Sequence, residues 1–196
     1  MQSPDRPMQA PRASYAYKAS LVGSAHRFDL TDEGLAWQAG GRSGLWSYAD
    51  IAAVRLSYRP ISMQSRRFRA DIEHCGGGRI AVLSTTWQTV TLMAPQDRDF
   101  RAFIVDLHRR MAEAGSTAVL SGGITRGAYA AAAALLVLVA VALAALLVRA
   151  LATGAWSGAL FLAGFAALFS WQIGGFIRRN RPRRYAFGAL PKALLP

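Results

Sequence analysis

Two long stretches without a charged residue constrain this chain more than any other feature. Residues 127–148 and residues 156–177 each comprise 22 uncharged, mainly apolar residues. As α-helices they would each be roughly 33 Å long, against a bilayer hydrocarbon core of about 30 Å. A chain of 196 residues has too little other material to cover two helices that are apolar on all sides. We therefore expect a transmembrane hairpin over residues 127–177, with antiparallel helices joined by a turn at 149–155.

The charged residues are distributed unevenly around this hairpin. All 11 acidic residues lie between Asp5 and Glu113, although the net charge of the chain is +12. Basic residues beside a membrane-spanning segment favour the cytoplasmic side, so we expect both termini in the cytoplasm. The same position next to an apolar segment argues against nucleic acid as a partner. The basic residues that carry this topology signal, and that we expect at the membrane surface, are Arg178, Arg179, Arg181, Arg183 and Arg184.

The interior of the hairpin carries little chemistry. Its clearly polar side chains are Ser157, Ser170 and Gln172, and neither uncharged segment contains Asp, Glu, Lys, Arg or His. A transport pathway through a membrane usually keeps ionisable groups inside the bilayer. The hairpin is therefore predicted to be an anchor and not a pore.

The residues before the hairpin predict a soluble α+β domain over residues 21–115. About seven short stretches of alternating apolar residues lie between positions 24 and 94, separated by glycine-containing turns. An amphipathic helix then follows, because five apolar residues recur at helical spacing. Around this domain we expect a disordered segment at 1–20, a linker at 116–126 and a basic cytoplasmic tail at 178–196. The apolar face of the helix comprises Phe100, Phe103, Ile104, Leu107 and Met111.

The segment LWSYADIAAVRL at residues 45–56 resembles the pattern hydrophobic-Tyr-x-Asp-Ile-x-x-Val of bacterial pleckstrin-homology-like (PH-like) domains. Seven strands followed by one helix is also the element order of that fold. The resemblance covers roughly residues 24–114. It implies a PH-like β-barrel of about seven antiparallel strands with a C-terminal capping helix, in a protein of the bacterial inner membrane.

The same resemblance implies where an anionic ligand would bind. In eukaryotic relatives, basic residues on loops between the early strands hold phosphorylated head groups. The corresponding loop here is rich in arginine. The alternative explanation is an ordinary solvated loop in a chain that is rich in arginine throughout. The candidate contacts to an anionic head group or to the membrane surface are Arg59, Arg66, Arg67 and Arg69.

The sequence contains no recognisable catalytic or metal-binding motif. Cys75 is the only cysteine, and its neighbour His74 would face the opposite side of an extended strand. Asp71 and Glu73 share one strand face, where pairing with arginines on a solvated surface accounts for them better than acid–base catalysis. We therefore expect no enzymatic activity, no metal and no cofactor.

These observations favour a membrane-anchored adaptor that binds a protein partner, a second copy of itself or the anionic inner leaflet. An alternative belongs to another class of protein. In it, the chain is a small accessory subunit of a transport or envelope-assembly complex, and its helices pack against a larger membrane partner.

Overall fold

The computed structural model describes residues 13–20, 23–60, 66–89 and 93–196. The chain divides into two compact units. The strand-rich unit comprises Met1–Leu120 and Tyr185–Pro196, and the hairpin unit comprises Ser121–Arg184. The strand-rich unit is thus discontinuous in sequence, because it includes residues on both sides of the hairpin.

The strand-rich unit consists of short strands followed by one helix. Within the described residues, nine strands precede helix α1 (Asp97–Glu113), and β10 (Val119–Gly122) follows it. Short 3-10 helices lie at Tyr48–Asp50 and Lys192–Leu194. The nine strands are β1 (Ser14–Tyr17), β2 (His26–Leu30), β3 (Leu35–Ala39), β4 (Arg42–Trp46), β5 (Ile51–Tyr58), β6 (Phe68–His74), β7 (Arg79–Leu83), β8 (Thr85–Trp87) and β9 (Met93–Pro95).

The strands form sheets that remain open. One sheet has the order β1-β2-β3-β4, a second contains β10, β5, β6 and β7 as neighbours in that order, and β8 pairs with β9. The glycine turns predicted from sequence are present. Gly40 and Gly41 take φ values of +58° and +76° between β3 and β4, and Gly77 takes +90° between β6 and β7. The α+β class is confirmed, and the described residues form no closed barrel.

The predicted face of α1 lies in the core of this unit. All five of its apolar residues are at most 2% exposed, and they pack against aromatic and aliphatic residues of the strands. Tyr15 of β1 contacts two of them, with ring centroids 6.1 Å from Phe100 and 5.6 Å from Phe103. Gly115, at φ +66°, follows the end of the helix.

Two elements lie where the sequence predicted unstructured chain. Strand β1 falls inside residues 1–20, so the folded part of the unit begins at or before Ser14; residues 1–12 of that predicted disordered segment lie outside the described residues. Strand β10 falls inside the predicted linker 116–126. Both strands have only four residues. Strand β1 pairs with the next strand, β2, whereas β10 pairs with β5, which is distant in sequence.

The last 12 residues, which lie within the predicted basic tail 178–196, are part of the strand-rich unit. Leu194 is 0% exposed and Leu195 7%, and both belong to the hydrophobic core. The backbone N–H of Tyr185 donates to the carbonyl of Leu120 (3.2 Å). An Arg101 guanidinium nitrogen donates to the backbone oxygen of Pro196 (2.8 Å). The predicted basic tail thus ends as a packed segment, residues 185–196, which we call the C-terminal strap.

The hairpin unit is built on α2 (Arg126–Ala152) and α3 (Trp156–Arg179), followed by β11 (Arg183–Arg184). Both helices extend beyond the predicted spans, so the connection shortens to residues 153–155, with Gly154 at φ +70°. Arg149 therefore lies in the last turn of α2 and not in the connection. Both helices are long and apolar enough to cross a membrane.

Candidate functional site

The arginines singled out from sequence (Arg59, Arg66, Arg67 and Arg69, the arginine cluster) flank the connection between β5 and β6. Residues 61–65 of that connection lie outside the described residues. The ladder pairs Tyr58 with Phe68, and one step further the N–H of Arg59 donates to the carbonyl of Arg67 (2.8 Å). Arg59 and Arg67 are therefore opposite one another, which is unfavourable for like charges.

One member of the arginine cluster is already neutralised. Arg69 donates from Nε (2.8 Å) and from a terminal nitrogen (2.6 Å) to Oδ1 of Asp71. Asp71 is only 1% exposed, and its other oxygen lies 3.1 Å from a guanidinium nitrogen of Arg79. Glu73 lies 3.7 Å from the same guanidinium. Pairing with arginines was predicted, but Asp71 is buried and not on a solvated face. Its role is structural, because two arginines compensate the buried carboxylate.

The other three members have no carboxylate partner within ion-pair distance among the described residues. Burial lowers the pKa of Arg67, and the positive charges of Arg69 and Arg59 lower it further. The Arg67 Nε is buried and has no hydrogen-bond partner in the described part of the chain. Burial raises the pKa of Asp97, and the charge of Arg66 opposes that shift. An anion such as a phosphate would relieve the repulsion among these guanidiniums and supply the missing acceptor.

A second basic surface lies at the base of the hairpin, where α2 begins and α3 ends. The structure adds Arg126 to the five arginines predicted from sequence, and all six are exposed. We call this surface the basic collar. Its members are Arg126, Arg178, Arg179, Arg181, Arg183 and Arg184.

The segments that carry the basic collar are held together by hydrogen bonds and close packing. Asn180 is 0% exposed, accepts the N–H of Ile124 at its carbonyl (3.1 Å), and donates from Nδ2 to the carbonyl of Phe176 (3.3 Å). Gly123 packs so closely on the Asn180 carbonyl that a Cβ would overlap it, and its φ is +88°. Strand β11 then pairs with the end of β10. The entry and exit of the hairpin are therefore joined by backbone hydrogen bonds.

Sequence reasoning missed the environment of His108. This side chain is 1% exposed; its Nδ1 lies 2.7 Å from the Ile104 carbonyl and its Nε2 lies 3.0 Å from the hydroxyl of Tyr185. Phe187 contacts the same ring. Burial lowers the pKa of His108, so the neutral imidazole joins the C-terminal strap to α1. The signal available in the sequence was the pair of aromatic residues in an otherwise basic tail.

The described residues also form a shallow cleft of about 330 Å³ beside β1 and β8. Tyr17, Lys18, Thr86 and Trp87 contribute to its wall, and none of its lining residues is acidic, histidine or cysteine. In the described part of the chain, no three His, Cys, Asp or Glu side chains are grouped so that they could hold a metal ion.

Comparison of the chain with protein-family models, with curated proteins and with solved structures finds no match in any of the three.

Proposed function

We propose that this chain is a membrane-anchored, non-enzymatic binding module. In this proposal α2 and α3 cross a bacterial inner membrane, and both termini are in the cytoplasm. The strand-rich unit is a PH-like domain that binds a protein partner, a second copy of the chain or the anionic inner leaflet through the arginine cluster.

The observation that carries the proposal is the exposure of the two apolar helices. In their most apolar windows, 0% of α2 and 6% of α3 is buried. A core helix of a soluble protein with this composition would be mostly covered by other residues. Transferring so much apolar surface from water to lipid is strongly favourable, at roughly 25 cal/mol per Å². A membrane is the environment that provides this transfer for a whole helix circumference.

The residues that resemble the PH-like segment lie at the start of β5 and in the turn before it. Ile51 and Val54 are at most 1% exposed and lie in the core. The Tyr48 hydroxyl donates to the Thr31 carbonyl (2.8 Å), and the Asp50 carbonyl accepts the N–H of Cys75 (2.9 Å). These residues therefore connect the start of β5 to two neighbouring turns. Packing and turn formation are general reasons for such residues to occur together in this kind of domain.

The single cysteine provides a direct test of the topology. Cys75 is exposed on the strand-rich unit, so a membrane-impermeant maleimide reports the side of the membrane on which that unit lies. We expect Cys75 to be unlabelled in intact spheroplasts and labelled in inverted membrane vesicles. In a Cys75→Ser background, a Thr153→Cys variant places the only thiol in the connection between α2 and α3, and we expect the opposite labelling pattern.

Two results would overturn the proposal. Release of the chain from membranes by an alkaline carbonate wash would show that the helices are not integral to the bilayer. Labelling of Cys75 in spheroplasts would place the strand-rich unit outside the cytoplasm. Vesicles opened with detergent are the control, because both thiols should then react.

A second candidate function is supported by the surface of α3. Phe161, Phe165 and Phe169 form a stacked row along this helix, with ring centroids 6.5 Å and 6.0 Å apart. Phe161 is 72% exposed and Phe165 45%. Such a row suits packing against another membrane helix, as in an accessory subunit of a larger complex. The test is co-purification from native membranes. A large membrane protein retained by the wild type and lost by a Phe161→Leu/Phe165→Leu variant would favour the subunit over the adaptor.

A further inference from the structure

Six of the seven basic residues of the hairpin unit lie in the basic collar. Residues 121–184 contain no Asp or Glu at all, and the six collar arginines are exposed. They stand on three elements, namely the first residue of α2, the last turn of α3 and the segment that ends in β11. Anions from outside the unit would therefore reduce the repulsion between these arginines.

The collar arginines are held in position by the fold. The buried Asn180 and the tight approach of Gly123 fix the base of the hairpin, and the β10–β11 pairing holds Arg183 and Arg184 on a strand. A terminal nitrogen of Arg183 donates to the carbonyl of Arg179 (3.1 Å). Since a guanidinium has five N–H donors, this bond orients the group and leaves other donors for a ligand.

We infer that the basic collar is a binding site for the phosphate groups of anionic phospholipids. The inference rests on the proposed function, since it requires α2 and α3 to cross a bilayer. Where α2 begins and α3 ends, the apolar helix surface stops and the collar starts, which is the level of lipid phosphates. Arginine binds a phosphate through two parallel N–H···O bonds, whereas lysine offers only a point charge. Apolar helices directly beside the collar favour a lipid over a nucleic acid as the source of that phosphate.

A simpler explanation predicts different behaviour. Arg178 and Arg179 suit the negative end of the α3 dipole, and any cation would set the topology. Both of those roles depend on charge alone and would be fulfilled by lysine. Lysine would not replace arginine in selecting lipids, because that role needs oriented guanidiniums. An arginine-to-lysine exchange on β11 therefore separates the two explanations.

The experiment is native mass spectrometry of the full chain released from detergent micelles that contain equal amounts of phosphatidylglycerol and phosphatidylcholine. We expect the wild type to retain phosphatidylglycerol in several-fold excess over phosphatidylcholine. An Arg183→Lys/Arg184→Lys variant should reduce that excess at least about threefold. The matched control is Arg27→Lys/Arg42→Lys, which alters two exposed arginines of the strand-rich unit and should leave the excess unchanged.

Four outcomes would overturn the inference. They are no preference in the wild type, an unchanged preference in the β11 variant, an equal loss in the control variant, and displacement of the lipid by inorganic phosphate or a duplex DNA oligonucleotide. Alkaline carbonate extraction of the same proteins distinguishes this failure from failure of the proposed function. A chain that stays in the membrane without selecting lipid refutes the collar site alone.

Discussion

The C-terminal strap should be essential for the stability of the strand-rich unit, and Leu194→Ala is the change that tests this. Leu194 is fully buried in the core although it follows the hairpin in sequence. Replacing a fully buried leucine by alanine costs about 3–5 kcal/mol, because transfer free energy is lost and a cavity remains. A domain of this size has a total stability of about 5–15 kcal/mol. One substitution in the strap therefore removes a large fraction of the free energy of unfolding.

Urea unfolding of the full chain in detergent micelles, followed by tryptophan fluorescence, measures this effect. Trp156 and Trp171 lie on α3 and are more than 70% exposed, so both are first replaced by Phe. The signal then comes from the tryptophans of the strand-rich unit. With a urea dependence of about 1–3 kcal/mol per M, we expect Leu194→Ala to lower the unfolding midpoint by at least about 1 M.

Lys192→Ala is the matched control, because Lys192 lies in the same 3-10 helix and is exposed. It should change the free energy of unfolding by less than about 0.5 kcal/mol. A chain truncated after Arg184 should lose the cooperative transition or show it at a much lower midpoint. If Leu194→Ala and Lys192→Ala had the same midpoint, the strap would not contribute to the core and the reasoning would be refuted.

Three further changes test other parts of the structure. Asp71→Asn should destabilise the strand-rich unit by roughly 1.5–3 kcal/mol, because the buried carboxylate loses its charge-assisted hydrogen bonds. Arg79→Ala, at a half-exposed site, should cost less because Arg69 still pairs with Asp71; equal urea midpoints would contradict this. Burial lowers the pKa of His108, so the unfolded chain binds the proton more readily, and the free energy of unfolding should fall as the pH drops through about 6.5. His108→Gln should reduce the dependence of the free energy of unfolding on pH between pH 7 and 5, and an unchanged dependence would count against this role. Gly123→Ala should lower the thermal stability of the hairpin unit because the added Cβ would overlap the Asn180 carbonyl. Gly127→Ala, with open space around it, should not, and equal melting temperatures of the two variants by circular dichroism would refute the close approach.

The parts of the fold that could be predicted from the sequence are those that local patterns encode. The two apolar segments, the glycine turns and the apolar face of α1 depend on composition or on periodicity within a few residues. The corresponding elements are present in the structure. Helices α2 and α3 are longer than predicted because they include residues that flank the uncharged segments. The predicted spans ended at the nearest charged residue and so excluded those residues.

Most of the features that were not predicted depend on partners distant in sequence. Leu194 and Leu195 contact a core assembled from residues before the hairpin, and no local periodicity marks a two-residue anchor. The burial of Asp71 depends on Arg79 from the neighbouring strand. For the arginine cluster, the sequence indicated which residues are basic, but only the structure shows that Arg69 is committed to a buried carboxylate.

The position of the C-terminal strap has a consequence for synthesis of the chain. A ribosome makes residues 185–196 after the whole hairpin, so the core of the strand-rich unit lacks Leu194 and Leu195 until α2 and α3 have been translated. Domains usually fold as they emerge, with the N-terminal part first. Here the core around the N-terminal strands is complete only after Leu194 and Leu195 have been added. A mature strand-rich unit therefore forms only on chains whose helical hairpin is already complete, and chains interrupted within the hairpin would present an unfinished core to cellular proteases.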